Sequence, residues 1–297
     1  MTAQAMTDPD EFAAAAEPIL AADPLRGSVI ATALHRARHD GSRPGNRWWI
    51  VRAEDAPGGP IVGLAMLTRP GRPYLLADAT DGRDVGTAVA AELDTAGSGA
   101  SDPEAPREPI TGVNGFVSAA RGFATEWVRR HGGTVRAGRQ DVLHALPGPV
   151  RMPHHVPGAA REATVADHTW LDDWGRAFIR DIGDPPDPLV SLERPLADGG
   201  FLVWESELDG RTQPVAMAFA NPPQHGHVRI SWVWTLPEAR GRGFGGAVVA
   251  AAAARAQADG LQCLLIADAS NPVSNAVYRR LGFQPVDEAC HLHIEDE

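Results

Sequence analysis

The stretch TLPEARGRGFGGAVV, residues 235 to 249, decides the reading, because it joins two segments of opposite period. Upstream, HVRISWVWTL at 227–236 is rich in β-branched and aromatic residues and reads as a long strand. Downstream, GGAVVAAAAARAQADG reads as an alanine-built helix ended by Gly260. Between them, Gly241, Gly243, Gly245 and Gly246 permit positive φ and a close approach to the backbone. The first-turn amides of the following helix lack intrahelical acceptors. Strand, glycine bend and helix together make an anion site of the size of a diphosphate. The bend lacks the Gly-Lys-Ser/Thr ending of a P-loop. It also lacks the acidic strand end, about 20 residues on, of a Rossmann unit. A plain turn explains the same glycines without any ligand, so a second motif has to separate the two readings.

That motif is NPVSNAVYRRLGFQPV at 271–286, a short helix that follows the apolar strand LQCLLIAD. Asn271 stands at the N-cap with Pro272 at the first helical position. Asn275 and Tyr278 are three residues apart and share a helix face, which lets an amide and a phenol look into one crevice. The competing reading packs Tyr278 in the core and leaves Asn271 as a cap alone.

Taken together, Arg240-Gly-Arg-Gly-Phe-Gly245 resembles the R/Q-x-x-G-x-G/A acetyl-CoA motif of the GCN5-related N-acetyltransferases (GNAT). Asn271 to Phe283, read as Asn-x6-Tyr-x3-Gly-Phe, is similar to that family's C-terminal signature. The resemblance covers residues from about 161 onward, and the first half only by the order of its elements. It implies acetyl-CoA as cofactor, with two central strands splayed so that the backbone of Val233, Trp234 and Thr235 pairs with the pantetheine arm. Amides from Gly241 through Arg242, Gly243, Phe244, Gly245 and Gly246 would hold the diphosphate, helped by Arg240, Arg242 or Arg279. Asn271 and Asn275 join the cofactor set, and Tyr278 is the implied acid for the departing thiolate.

Working outward, the Pro/Gly-rich PGPVRMPHHVPGAA near 147–160 interrupts every period and divides the chain into 1–150 and 151–297. Each half reads as a helix, several strands, then helix, strand, helix, strand, an α/β (α+β) order of two GNAT-like mixed-sheet domains, each a central twisted sheet flanked by helices. In the first half, the expected elements are a helical start at 18–40, strands RWWIVRAED, IVGLAMLT and YLLADA, and a helix through VGTAVAAELDTA. The turn APGGP, the loop GSGASDPEAPRE and a strand-like PITGV are expected too, with a second amphipathic helix bearing Phe116, Phe123, Trp127 and Val128. Its counterpart of the diphosphate turn, ADATDGRDVGTAVA, is acidic, which marks this half as a degenerate copy. In the second half REATVAD is expected as a strand, TWLDDWGRAFIRDI as a helix before a Pro-rich loop, and FQPVDEA and CHLHIED as final strands.

Composition bounds the function. In 297 residues, 27 basic side chains, all arginine, face 38 acidic ones for a net charge of -11, which disfavours nucleic acid. The absence of lysine removes Schiff-base chemistry and self-acetylation on a lysine. No apolar run approaches the ~20 residues of a membrane span, and the acidic N-terminal stretch is unlike a secretory signal, so a cytoplasmic protein is expected. Cys263 and Cys290 lie in apolar segments as structural thiols without a disulfide. His154 with His155, and His291 with His293, lack a third metal ligand, so no metal is expected. The function expected is direct acetyl transfer to a primary amine of a small molecule or peptide. Glu205, His225 and His227 flank the cleft strands, and the residues do not single out one general base. A non-catalytic acyl-CoA sensor is the rival reading. Tandem halves in a lysine-free chain also fit a mycothiol-synthase-like acetyltransferase.

Overall fold

Asp23 sets the geometry of the N-terminal region, closing one helix and capping the next. The structure, a computed structural model, describes residues 1–42, 45–53, 58–98, 109–183 and 192–296. The segment expected as one helical start is two helices, α1 (Pro9–Ala22) and α2 (Pro24–His39), preceded by a strand β1 (Thr2–Met6). Asp23 accepts from the Arg26 amide at 3.1 Å and its own amide donates to the Ile19 carbonyl, so the chain breaks there. The strands β2 (Arg47–Arg52), β3 (Ile61–Leu67) and β4 (Tyr74–Ala77) follow as expected, then α3 (Gly82–Ser98). Of the turn APGGP and the loop GSGASDPEAPRE, residues 56–57 and 99–108 lie outside the described residues.

Next come β5 (Gly112–Phe116), α4 (Val117–His131) and β6 (Thr134–Leu146). Phe116 belongs to β5 and to the cap of α4 rather than to the helix face, because its φ of -64° and ψ of 139° are extended. Residues to Leu143, with 268–270 and those from Asp287 onward, form one unit; His144–Ala267 with Asn271–Val286 form the other. The stretch expected as two final strands is one strand, β12 (Gln284–Glu295), and from Asp287 it belongs to the first unit. That unit's strand order is β1-β2-β3-β4-β5-β12-β6, with β4 and β5 parallel. One side of its sheet buries Trp49, Leu75, Val113 and Leu292 with Val89 and Phe123 of α3 and α4. The two helices cross on glycine: a Cβ at Gly86 would fall on the Ala119 carbonyl oxygen, and one at Gly122 on that of Arg83.

The second unit opens with β7 (Ala159–Glu162), α5 (His168–Asp181) and a short α6 (Glu193–Ala197). The strand expected over 161–167 stops at Glu162, because Asp167 and Thr164 form a capping box that turns the chain. Residues 184–191 of the expected Pro-rich loop lie outside the described residues. Strands β8 (Phe201–Leu208) and β9 (Arg211–Ala220) form a hairpin whose turn, Asp209 and Gly210, has φ of 52° and 74°. β10 (His227–Thr235), α7 (Phe244–Ala258), β11 (Gln262–Asp268) and α8 (Pro272–Leu281) complete the unit, with strand order β11-β10-β9-β8-β7. Val228, Ile230, Val248, Leu265 and Phe283 belong to its core on the α7 side.

A polar staple holds the start of this unit. Asp167 is buried and receives Arg161 through two hydrogen bonds of 2.7 and 2.9 Å, plus the Thr164 amide and the Trp170 indole. Arg161 holds its carboxyl down at about 2, against an ordinary 3.8. A depressed carboxyl stabilises the fold above pH ~4, and that contribution is lost as pH falls from there through about 2. Asp167→Asn is therefore expected to lower stability by roughly 2 kcal/mol at neutral pH. Urea unfolding at pH 7 and pH 2.5 checks this; a loss of the same size at both values would refute the ionic origin.

Candidate active site

The bend after β10 is built by backbone conformation rather than by side chains. Gly241 and Gly243 sit at φ of 79° and 88°, in the left-handed region, and Gly243 caps α7 without any side-chain bond. Ala247 makes the first helical bond, to the Gly243 carbonyl. Among the described residues, the amides of Gly241, Arg242, Gly243, Phe244, Gly245 and Gly246 meet no acceptor. Phe244 is buried and anchors the first turn in the core. A Cβ at Gly245 would lie 3.0 Å from the Thr235 hydroxyl, and one at Gly246 3.2 Å from Val277 of α8. The two glycines thus bring the helix end against both the strand and α8.

The strand that leads into this bend is freed on one side. β10 pairs with β11 in parallel only from His227↔Gln262 to Ile230↔Leu265. Beyond that point Ser231 to Thr235 have no ladder partner across the gap among the described residues. On the other side, three steps of β10 from Ser231 to Trp234 oppose two of β9, a bulge that contains Trp232 at φ 52°. Val233, Trp234 and Thr235 therefore lie beside an open strand edge that leads to six unengaged amides.

The side chains are arranged less simply than the sequence suggests. Arg240 donates from Nη2 to Asp181 at 2.7 Å and from Nε to the Thr235 carbonyl at 3.1 Å. Asp181 also takes the Trp234 indole at 2.9 Å, and that bond is the main reason its carboxyl is lowered. Arg240 is thus a brace between α5 and the end of β10. Arg242 and Arg279 are exposed and have no ion pair among the described residues. Asn271 caps α8, accepting from the Ser274 amide, and the Asn275 amide donates to the Asn271 carbonyl at 2.8 Å. Both asparagines hold the turn into α8, and neither structural bond was separable from a ligand role in the sequence.

Tyr278 is 8% exposed, with its ring centroid 6.1 Å from that of Phe283 and 6.3 Å from that of His144. Burial pushes its phenol up to about 12. His144 is buried on β6, in a segment, VLHALP, whose pattern is that of a plain strand and does not single the imidazole out. Two of the three bases named from the sequence have partners: Glu205 accepts from Arg161 at 2.8 Å, and His227 Nδ1 contacts the His225 carbonyl. Cys263 is buried and burial raises its thiol to about 11, so it is no nucleophile. Both cysteines are free, and no metal-binding group of three occurs among the described residues.

In the first unit the corresponding opening is filled. β4 and β5 pair only at Tyr74↔Asn114 and Leu75↔Gly115. Beyond them Arg26 of α2 donates to the Ala77 carbonyl at 2.6 Å and to Asp78, with its guanidinium 4.4 Å from the Phe116 ring centre. At the start of α3 a Cβ on Gly82 would lie 2.7 Å from that of Ser118.

The parted parallel pair and the glycine bend characterise the mixed α/β fold of the second unit. Residues 167–283 match the acetyltransferase (GNAT) family. That segment of the second unit is similar to a GNAT-family acetyltransferase domain. The chain's fold is shared with a GCN5-related N-acetyltransferase from Sphaerobacter thermophilus, at 20% identity and a TM-score of 0.62 over 99% of this chain and 95% of that one. A GNAT-family acetyltransferase from Colwellia psychrerythraea aligns over all of both chains at 9% identity and a TM-score of 0.54. A GCN5-related N-acetyltransferase from Kribbella flavida aligns over 89% of this chain and 95% of that one, at 20% identity and a TM-score of 0.51. No curated protein matches the sequence. No helix among the described residues is long and apolar enough to cross a membrane.

Proposed function

We propose that the chain moves an acetyl group from acetyl-CoA to a primary amine of a small molecule or peptide, by direct transfer. The run of unengaged amides from Gly241 to Gly246, next to the open edge of β10, carries this reading. Those amides hold a diphosphate at the positive end of α7, and Arg242 and Arg279 add charge that no carboxylate among the described residues claims. The backbone of Val233, Trp234 and Thr235 pairs with an amide-bearing arm as with another strand. Bound acetyl-CoA supplies an acyl group activated as a thioester, which an uncharged amine attacks. A freed amide of β10 faces the oxyanion. Cofactor binding is assigned within 151–297 and not to 1–150, where Arg26 and the acidic turn take the place of a ligand.

Tyr278 serves this reaction as a hydrogen-bond donor more than as a proton source. With its phenol at about 12 and an ordinary thiol at ~8.5, full transfer to the departing sulfur is uphill by ~3.5 units, or ~5 kcal/mol. A protonated hydroxyl that shares its hydrogen with the sulfur avoids that cost. The acyl-CoA sensor reading has one observation in its favour, the commitment of Glu205 and His227 to other partners. Calorimetry with acetyl-CoA followed by an amine screen for CoA release decides between them. Tyr278→Phe is expected to leave the Kd for acetyl-CoA within about twofold and to lower kcat by about 10²-fold. Firm binding without turnover on any amine, by either protein, would favour the sensor.

A further inference from the structure

The acceptor side of the bulge carries a wall of aromatic rings. Trp232 stacks with Phe178 of α5 at 5.8 Å and meets Phe201 edge-on at 6.1 Å. Trp234 lies 5.1 Å from Trp174, which lies 4.7 Å from Trp170. These rings belong to the cluster on the α5 side, whereas Val233 packs into the core on the α7 side. Trp232 lies on the stretch of β10 that β11 leaves unpaired, and its ring stands with Phe178 on the face of the sheet opposite α7.

Two features show that Trp232 is placed there at a cost. Its φ of 52° lies in the left-handed region, which a bulky side chain rarely adopts. Gly175, in the middle of α5, is the only residue type that admits it: a Cβ there would lie 2.7 Å from Cζ3 of the indole. Glycine weakens a helix interior. Core packing alone would need neither concession, and it would bury the ring as it buries Trp48 and Trp49, which are 0% exposed. Trp232 and Phe178 instead remain partly exposed. Strain kept at a partly open ring beside a site is a mark of ligand contact. The same wall holds Asp181, half exposed, whose Oδ2 takes both Trp234 and Arg240 while Oδ1 meets no donor among the described residues. A carboxylate oxygen beside an aromatic platform suits a cation with a flat body.

We infer that the acceptor is a primary amine carried on a planar aromatic body, docked on the Trp232–Phe178 platform. This rests on the acetyl-transfer reading above and names its substrate class. The probes are 2-phenylethylamine and butylamine, two alkylamines of like charge at neutral pH, titrated by calorimetry into the full chain saturated with CoA. Wild type is expected to bind the aromatic amine at least tenfold more tightly. Trp232→Asn keeps a residue that tolerates positive φ and is expected to shrink the gap below threefold. Phe178→Leu is expected to narrow it while leaving the Kd for acetyl-CoA within twofold, and it decides the matter if Trp232→Asn does not fold. Equal affinity of wild type for the two amines, or a gap that survives both substitutions, overturns the inference. If wild type binds acetyl-CoA but shows no such gap, the acetyl-transfer reading stands and this one falls; if it binds no acetyl-CoA, the reading beneath it falls.

Discussion

Gly243→Asp is expected to raise the Kd for CoA more than about 100-fold, whereas Gly243→Asn raises it less than about tenfold. Both side chains tolerate the left-handed φ of 88° better than most, and each places a Cβ 3.1 Å from Val156. Backbone strain and shape are therefore shared, and the difference between the variants is one negative charge. A unit charge ~5 Å from another costs ~3 kcal/mol at an effective dielectric of ~20, a factor of more than 10² in affinity. Calorimetry at fixed ionic strength, with circular dichroism to verify the fold, measures it. Equal losses in the two variants would mean that the bend does not face a diphosphate.

The second large effect concerns stability. Gly86→Val puts branched carbons where the Ala119 carbonyl and the Phe123 amide stand, and these are backbone atoms of α4 that no rotamer change can move. The helices have to separate, opening the core around Val89 and Phe123. A loss above 3 kcal/mol is expected, at the severe end of overpacking (~1–3 kcal/mol, occasionally more). Gly148→Ala, with nothing within 4 Å, is the control and is expected to stay within about 0.5 kcal/mol. Urea denaturation of both proteins tests the contrast; similar midpoints would show that the α3–α4 crossing is looser than described.

Much of this architecture could be read in advance, because periodicity and caps are local. The strand into Thr235, the helix from Phe244 and the Asn271 cap needed only neighbouring residues. The glycines at 241 and 243 were legible as a bend because positive φ is a property of the residue itself. What stayed hidden depends on partners far along the chain. Arg240 looked like a phosphate ligand until Asp181, 59 residues earlier, was found against it. The five-residue β1 shows too little alternation to announce itself, and Asp23 looks like any acidic residue until its two roles at consecutive helix ends are seen. Gly86, Gly122 and Gly175 read as weak points of their helices, and only tertiary neighbours reveal them as places of close approach.

The placement of β12 bears on how the protein is made. The strand β5 pairs along its length from Gly112 to Phe116 with His293 to Ala289, which are synthesised only after the whole of the second unit. Until they emerge, the nascent first unit has an uncovered edge and an incomplete hydrophobic layer, since Leu292 and Ile294 belong to it. Translation order and folding order therefore disagree. A polypeptide stopped at residue 150 lacks a central strand rather than an optional tail, and supplying 284–296 as a separate peptide, or grafting it after β6 through a linker, is the natural way to restore it.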